Sequence, residues 1–203
     1  QNRGLFSDWI AALDWIASER PDVRVVNMSL VSDRDYAGDC ERCSGQSGCT
    51  TNRLFGEVID RLWARGTLVV AASGNDGRGD AMSAPACVGR AVSVGAVDGA
   101  DGVARFSNRS ATLDLLAPGV AIVSDGLAGG LASLSGTSMA APHVAGAAAL
   151  LLAARPGLTA DGVLALLTGS GRPVADGARV VPRLDAFAAL GAAMRAPELV
   201  RGG

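Results

Sequence analysis

Two short segments carry the residue types that acyl-transfer chemistry requires. Gly136-Thr137-Ser138-Met139-Ala140-Ala141-Pro142-His143 places a serine hydroxyl at the start of a nonpolar, helix-forming stretch. A hydroxyl there benefits from the positive end of the helix dipole, and the unpaired N–H groups can stabilise an oxyanion forming beside it. Val69-Val70-Ala71-Ala72-Ser73-Gly74-Asn75 is an apolar run that breaks into a glycine and then a side-chain amide, a second donor of the right type. Taken singly, each residue has a plainer reading, Ser138 as a helix N-cap and Asn75-Asp76-Gly77 as turn chemistry.

A serine hydroxyl is a poor nucleophile without a neighbouring base. The sole histidine, His143, lies five residues beyond Ser138. On an α-helix five residues turn through roughly 500°, a net 140°, and rise about 7.5 Å. The imidazole is therefore expected on another side of the helix, as a structural residue rather than the base or a metal ligand.

The elements that would position these segments follow from periodicity. Apolar residues from Ser7 to Glu19 recur at helical spacing, with Ser7 as N-cap and Trp9 and Trp15 as core residues. Val23 to Leu30 reads as a strand, Ser32 to Thr51 as a surface loop, and Leu54 to Ala64 as a helix closed by Gly66. Thr67 to Ala72 and Ala91 to Val97 are apolar strands, Leu113 to Leu116 a further one, and Thr137 to Ala154 and Ala160 to Leu167 helices. Alternating helices and continuously apolar strands imply an α/β fold with parallel strands buried on both faces. Active sites of such sheets lie beyond the carboxyl ends of the strands, where both chemical segments fall.

Composition narrows the function classes. Nearly half the residues are apolar and the net charge is −2, so the chain folds and carries no basic stripe for nucleic acid. All 18 cationic residues are arginine. The apolar run Met139 to Ala154 is interrupted by Pro142 and His143 and is expected as a buried helix, not a membrane span. Glycines 74, 77 and 79 fit no phosphate-loop spacing. Cys40, Cys43, Cys49 and Cys87 suit disulfides in an oxidising compartment better than a zinc site, since a single CxxC has no second pair. Of the three pairings, Cys40–Cys43 with Cys49–Cys87 is favoured. The chain starts at Gln1 without a signal-peptide pattern, which suggests cleavage or truncation upstream.

The stretch Gly136 to Gly146, Gly136-Thr137-Ser138-Met139-Ala140-Ala141-Pro142-His143-Val144-Ala145-Gly146, closely resembles the nucleophile motif of the subtilisin-like serine proteases. Ala71-Ala72-Ser73-Gly74-Asn75 resembles that family's oxyanion segment, and Val26-Asn27-Met28-Ser29-Leu30 its substrate-binding edge strand. Ala84-Pro85-Ala86 with Ala91 to Ala96, and Ala117-Pro118-Gly119-Val120, match in the expected order, so the resemblance covers residues 4 to 192. It implies a three-layer αβα fold with a mostly parallel sheet whose N-terminal strands are missing here. Residues 1–192 would be the C-terminal portion of the peptidase domain and 193–203 a tail or the start of a linker. The resemblance also implies a secreted serine endopeptidase acting on polypeptides. Ser138 would be its nucleophile and Asn75 its oxyanion donor, with Ser29, Leu30 and Val31 pairing with an extended substrate. Ala72, Ser73 and Gly74 would form the opposite wall of the S1 pocket.

Two departures qualify this expectation. Val31-Ser32 stands where the family usually has Gly-Gly, so a β-branched side chain could narrow the pocket. The family's Asp-Thr/Ser-Gly and His-Gly-Thr motifs do not occur, and six Asp-Gly pairs read as turn signals instead. The expectation is therefore an upstream segment of about a hundred residues supplying the aspartate and histidine. Without it the chain should be inactive, and its open sheet edge should favour aggregation. The alternatives are a non-catalytic peptide-binding module and one chain of a nicked two-chain protease. An α/β-hydrolase would need glycine where Ala140 stands. No cofactor is expected, although Asp114 matches a carboxylate near a weak cation site in some relatives and a structural calcium could accompany the full-length domain.

Overall fold

The computed structural model describes residues 4–42, 48–127 and 129–195. In chain order the elements are α1 (Phe6–Glu19), β1 (Val25–Met28), β2 (Asp35–Tyr36), a 3₁₀ turn (Cys40–Arg42), α2 (Cys49–Ala64), β3 (Leu68–Ala72), β4 (Met82–Ser83), β5 (Val92–Val97) and β6 (Leu115–Pro118). Then come β7 (Ile122–Asp125), β8 (Leu131–Leu134), α3 (Thr137–Ala154), α4 (Ala160–Gly169), β9 (Arg172–Asp176), β10 (Arg179–Arg183) and α5 (Ala186–Arg195).

The central sheet has the order β1-β3-β5-β6-β10-β9, parallel throughout except for the β9–β10 hairpin. Strand β3 explains why its sequence is apolar without alternation. Leu68, Val70 and Ala72 face a core shared with α3, α4 and α5, while Val69 and Ala71 face a second core under α1 and α2. Every residue of β3 and β5 is buried. Helices thus cover both faces, giving three layers.

Helix α3 is long and apolar enough, by length and composition, to cross a membrane. Its inner side packs on β1, β3, β5 and β6. Its outer side, with Pro142, His143, Gly146 and Leu150, is exposed. Strand β1 is the sheet's edge.

Several sequence expectations are corrected. The first helix is capped at Leu5 with no side-chain bond, so Ser7 is not its N-cap. Trp15 is 53 % exposed, its ring facing the Arg20 guanidinium, rather than in the core. Trp9 is half-buried, edge-on to Phe6. The span Ser32 to Thr51 is not wholly loop, because it holds β2 and the 3₁₀ turn and α2 already begins at Cys49. Asp161-Gly162 lies in the first turn of α4, where Thr159 caps the Gly162 N–H, and not in a turn.

The favoured cysteine pairing is also wrong. Cys40 bonds Cys87, with Cα atoms 5.4 Å apart, which ties the 3₁₀ turn to the segment after β4. Cys49 is disulfide-bonded as well, and Cys43 lies outside the described residues. Sequence proximity misled, because Cys40 N–H donates to the Cys87 carbonyl and the fold brings these distant segments side by side. The last helix runs to Arg195 with Ala193 buried, and residues 196–203 are outside the described set.

Candidate active site

Ser138 is the second residue of α3, whose N-cap is Gly136. The N-cap reading of Ser138 is thereby excluded, and the residue is half-buried. Its hydroxyl donates to the Ser29 carbonyl at 3.3 Å, while Ser29 Oγ donates to the Ser138 carbonyl at 2.7 Å. The second bond has a cause in the sequence. Pro142 sits inside the helix four residues after Ser138 and has no N–H to offer that carbonyl. The orphaned acceptor turns to Ser29, so the proline fastens the end of the β1 segment to the serine.

Asn75 reaches the same helix start from the end of β3. Its Oδ1 accepts from the Thr137 N–H at 2.9 Å and from Thr137 Oγ1 at 3.0 Å. A backbone N–H can only donate, so the amide must turn its oxygen to Thr137 and its NH₂ outward. Thr137 Oγ1 also accepts from the Gly74 N–H at 3.2 Å. Serine and amide are therefore held at one helix terminus through the residue that separates them. Turn chemistry alone does not account for Asn75.

The loop carrying Asn75 is clamped by a residue that spacing did not single out. Asn108 is fully buried, and its Oδ1 accepts from the N–H groups of Asp76 (2.9 Å) and Arg78 (3.0 Å). Its own N–H donates to the Gly74 carbonyl, and Ser73 Oγ donates to the Asn108 carbonyl. Nothing in Phe106-Ser107-Asn108 announces this role, because the partners are some 30 residues away in sequence. Thr137 stands out in the sequence only as part of a motif.

Of the other expected site residues, Ser29 is half-buried and Leu30 and Val31 are 38 % and 37 % exposed, at the carboxyl end of the edge strand. Ala72, Ser73 and Gly74 are buried at the end of the neighbouring strand. His143 is exposed, its Nδ1 2.8 Å from the Met139 carbonyl, so it is bonded back onto its own helix. With Ile122, Val123, Ser124, Ser138, Met139 and Pro142 it lines a depression of about 370 Å³. Asp114 is half-buried just before β6, accepting from Ser93 N and Oγ at 2.8 and 2.7 Å. Burial raises its carboxyl above the ordinary range, and the Ser93 bonds oppose that rise. It is thus not an exposed strand-end carboxylate. Among the described residues no group of three His, Cys, Asp or Glu side chains could hold a metal ion.

Residues 1–179 match the family model described as the subtilase family. The chain belongs to the subtilase family. Subtilisin DY from Bacillus licheniformis is 36 % identical over 176 residues, which span 85 % of this chain and 58 % of that protein. An extracellular serine proteinase from Thermus sp. (strain Rt41A) is 39 % identical over 166 residues, 81 % of this chain and 36 % of the relative. A cold-adapted subtilisin-like serine proteinase of known structure superposes with a TM-score of 0.74 at 31 % identity, covering 91 % of this chain and 63 % of the other. This subtilase chain thus spans between about a third and three fifths of the curated relatives' length. Its three-layer, mostly parallel architecture is that of the subtilisin-like structures.

Proposed function

We propose that this chain is the nucleophile-bearing portion of a secreted serine endopeptidase, its residues 1–192 forming the C-terminal part of the peptidase domain. Ser138 attacks a peptide carbonyl. Its proton passes to a histidine base on a complementary segment and then to the leaving amine, giving an acyl-enzyme that water hydrolyses. The Asn75 Nδ2 and the Ser138 N–H donate to the oxyanion of the tetrahedral intermediate. The observation that carries this reading is the Thr137 bond to Asn75 Oδ1, which commits the amide oxygen to the helix start and leaves its Nδ2 as the donor for an oxyanion. In subtilisin itself, losing such an amide costs roughly 10²–10³ in turnover.

Extended substrate adds as a strand along Ser29-Leu30-Val31, with Ala72-Ser73-Gly74 as the facing wall. The complementary segment carrying the aspartate and histidine seats on the open edge of β1 and the exposed outer face of α3, where Leu150 is 57 % exposed. His143, bonded to Met139, is not the base. Alone, the chain is inactive.

The test is to combine the chain with the upstream segment of its own gene and add a serine-directed phosphonate. Labelling of Ser138 is expected only in the mixture, and Ser138→Ala should abolish it. A mixture that binds peptide but never labels would favour a non-catalytic peptide-binding module.

A further inference from the structure

The walls of the proposed substrate slot are closed at one end by a third segment. Strands β1 and β3 are paired in register as far as Met28 and Ala71, and the segments that follow them, Ser29–Val31 and Ala72–Gly74, are the two walls proposed above. Strand β4 bridges the two. The Ser83 N–H donates to the Ser73 carbonyl of one wall at 2.9 Å. On the other side the Ala84 N–H donates to Ser32 Oγ at 2.8 Å, and the Ser32 N–H returns a bond to the Ala84 carbonyl at 2.9 Å. Ser32, which replaces a family glycine, thus holds the floor to the edge-strand wall.

One carboxylate is built into that floor. Strand β2 pairs antiparallel with β4 and sets Asp35 opposite Ser83. Asp35 Oδ1 accepts from Ser83 Oγ at 2.7 Å and from Asn108 Nδ2 at 2.9 Å, both donors belonging to fully buried residues. Gly74 of the facing wall lies directly against these donors, so closely that a Cβ there would collide with both. Two neutral donors orient the carboxylate without neutralising it. Among the described residues Asp35 enters no ion pair, and its Oδ2 accepts no hydrogen bond. Asp35 is itself only half-buried.

We propose that Asp35 is a specificity-determining residue, and that the slot takes peptides with a cationic residue, arginine above lysine, at the position whose carbonyl Ser138 attacks. The inference rests on the protease reading above and names the substrate class of that site. A lone, oriented negative charge beneath main-chain walls is complemented by a guanidinium on a long apolar stem. A carboxylate at the floor of the pocket selects cationic side chains in other serine proteases by the same physics. Arginine is favoured because its planar fork keeps its charge and can meet Oδ2 with more than one N–H. Val31 at the mouth offers an apolar contact to the stem.

The test uses the chain assembled with its upstream segment and peptides that differ only at that position, arginine, lysine, leucine or glutamate. Wild-type protein should show kcat/KM for arginine at least about tenfold above leucine. Asp35→Asn keeps an oxygen for Ser83 and Asn108 but removes the charge. It should lower the arginine value by roughly 30-fold or more, with the leucine value within about threefold. Asp39→Asn, a carboxylate of the same segment paired to Arg42 at the surface, should change neither. In parallel, benzamidine binding to the Ser138→Ala form should be lost with Asp35→Asn. Turnover that prefers leucine, or an equal loss for arginine and leucine in Asp35→Asn, overturns the inference and leaves the protease reading intact. Asp35-dependent benzamidine binding without hydrolysis of any peptide overturns the protease reading and keeps the cation site.

Discussion

Ser138 stands between two regions held in opposite ways. On one side the loop from Gly74 to Arg78 has an exposed tip, yet the N–H groups of Gly74, Asp76, Gly77 and Arg78 all have partners in the fold. Three buried polar residues, Ser73, Asn108 and Thr137, fasten it from beneath. On the other side the β7–β8 hairpin is held by its own ladder from Ile122↔Leu134 to Asp125↔Leu131. Three of its apolar side chains face solvent, Val123 at 61 %, Leu131 at 77 % and Leu134 at 56 %, while Ile122 is half-buried. Polar residues here make the ordered side of the site, and apolar ones the uncovered side. An oxyanion donor must be fixed before the reaction, whereas an apolar strand surface in water is complete only when something covers it.

The comparison can be broken most decisively at the amide. Asn75→Ala should lower turnover of the assembled enzyme by roughly 10²–10³, about 3–4 kcal/mol in barrier, with KM little changed. Steady-state kinetics reading a KM effect alone would remove Asn75 from the oxyanion site. Next in size, Asn108→Ala should cost about 3 kcal/mol of stability in urea unfolding, because several groups lose partners at once. The amides of Asp76 and Arg78 should then exchange faster, and unchanged exchange would show that the loop does not depend on the clamp. Replacing Val123 and Leu131 together by serine should shift stability by no more than about 0.5 kcal/mol. A large loss of stability would mean that the hairpin belongs to the core after all.

The smallest effect concerns Asp114, at the amino ends of the parallel strands and so at the opposite end of the sheet from this contrast. Its folded carboxyl is raised by burial, so its ionisation opposes the native state. The stability it contributes is complete below the unfolded-state value and is lost as pH rises through the folded one. Asp114→Asn should therefore raise Tm more at pH 7 than at pH 4. An equal shift at both would assign the effect to the Ser93 bonds alone.

Much of the frame was legible because it is written locally. Helix α3 begins and ends at Thr137 and Ala154, as its Ala/Leu-rich run suggests, and β3 and β5 fall within one residue of their apolar runs. The β9–β10 hairpin is not legible in the sequence, although Asp176-Gly177 marks its turn, with Gly177 at φ 62°. Its short strands, with prolines and arginines at paired positions, carry too little alternation to stand out. Trp15 misled because an apolar spacing on α1 says which residues share a face, not how much of that face is covered.

From the sequence alone came the order of the main helices and buried parallel strands and the Ser138 and Asn75 segments. These depend on residues close along the chain, where spacing and chemistry are enough. Only the tertiary structure decided that Cys40 bonds Cys87, that Asn108 holds the amide loop, and that Asp35 meets Ser83 and Asn108. Each of those pairs residues 30 to 73 positions apart. Their meeting is set by how β2, β4 and the sheet close on one another, a collective result of packing that no local pattern encodes.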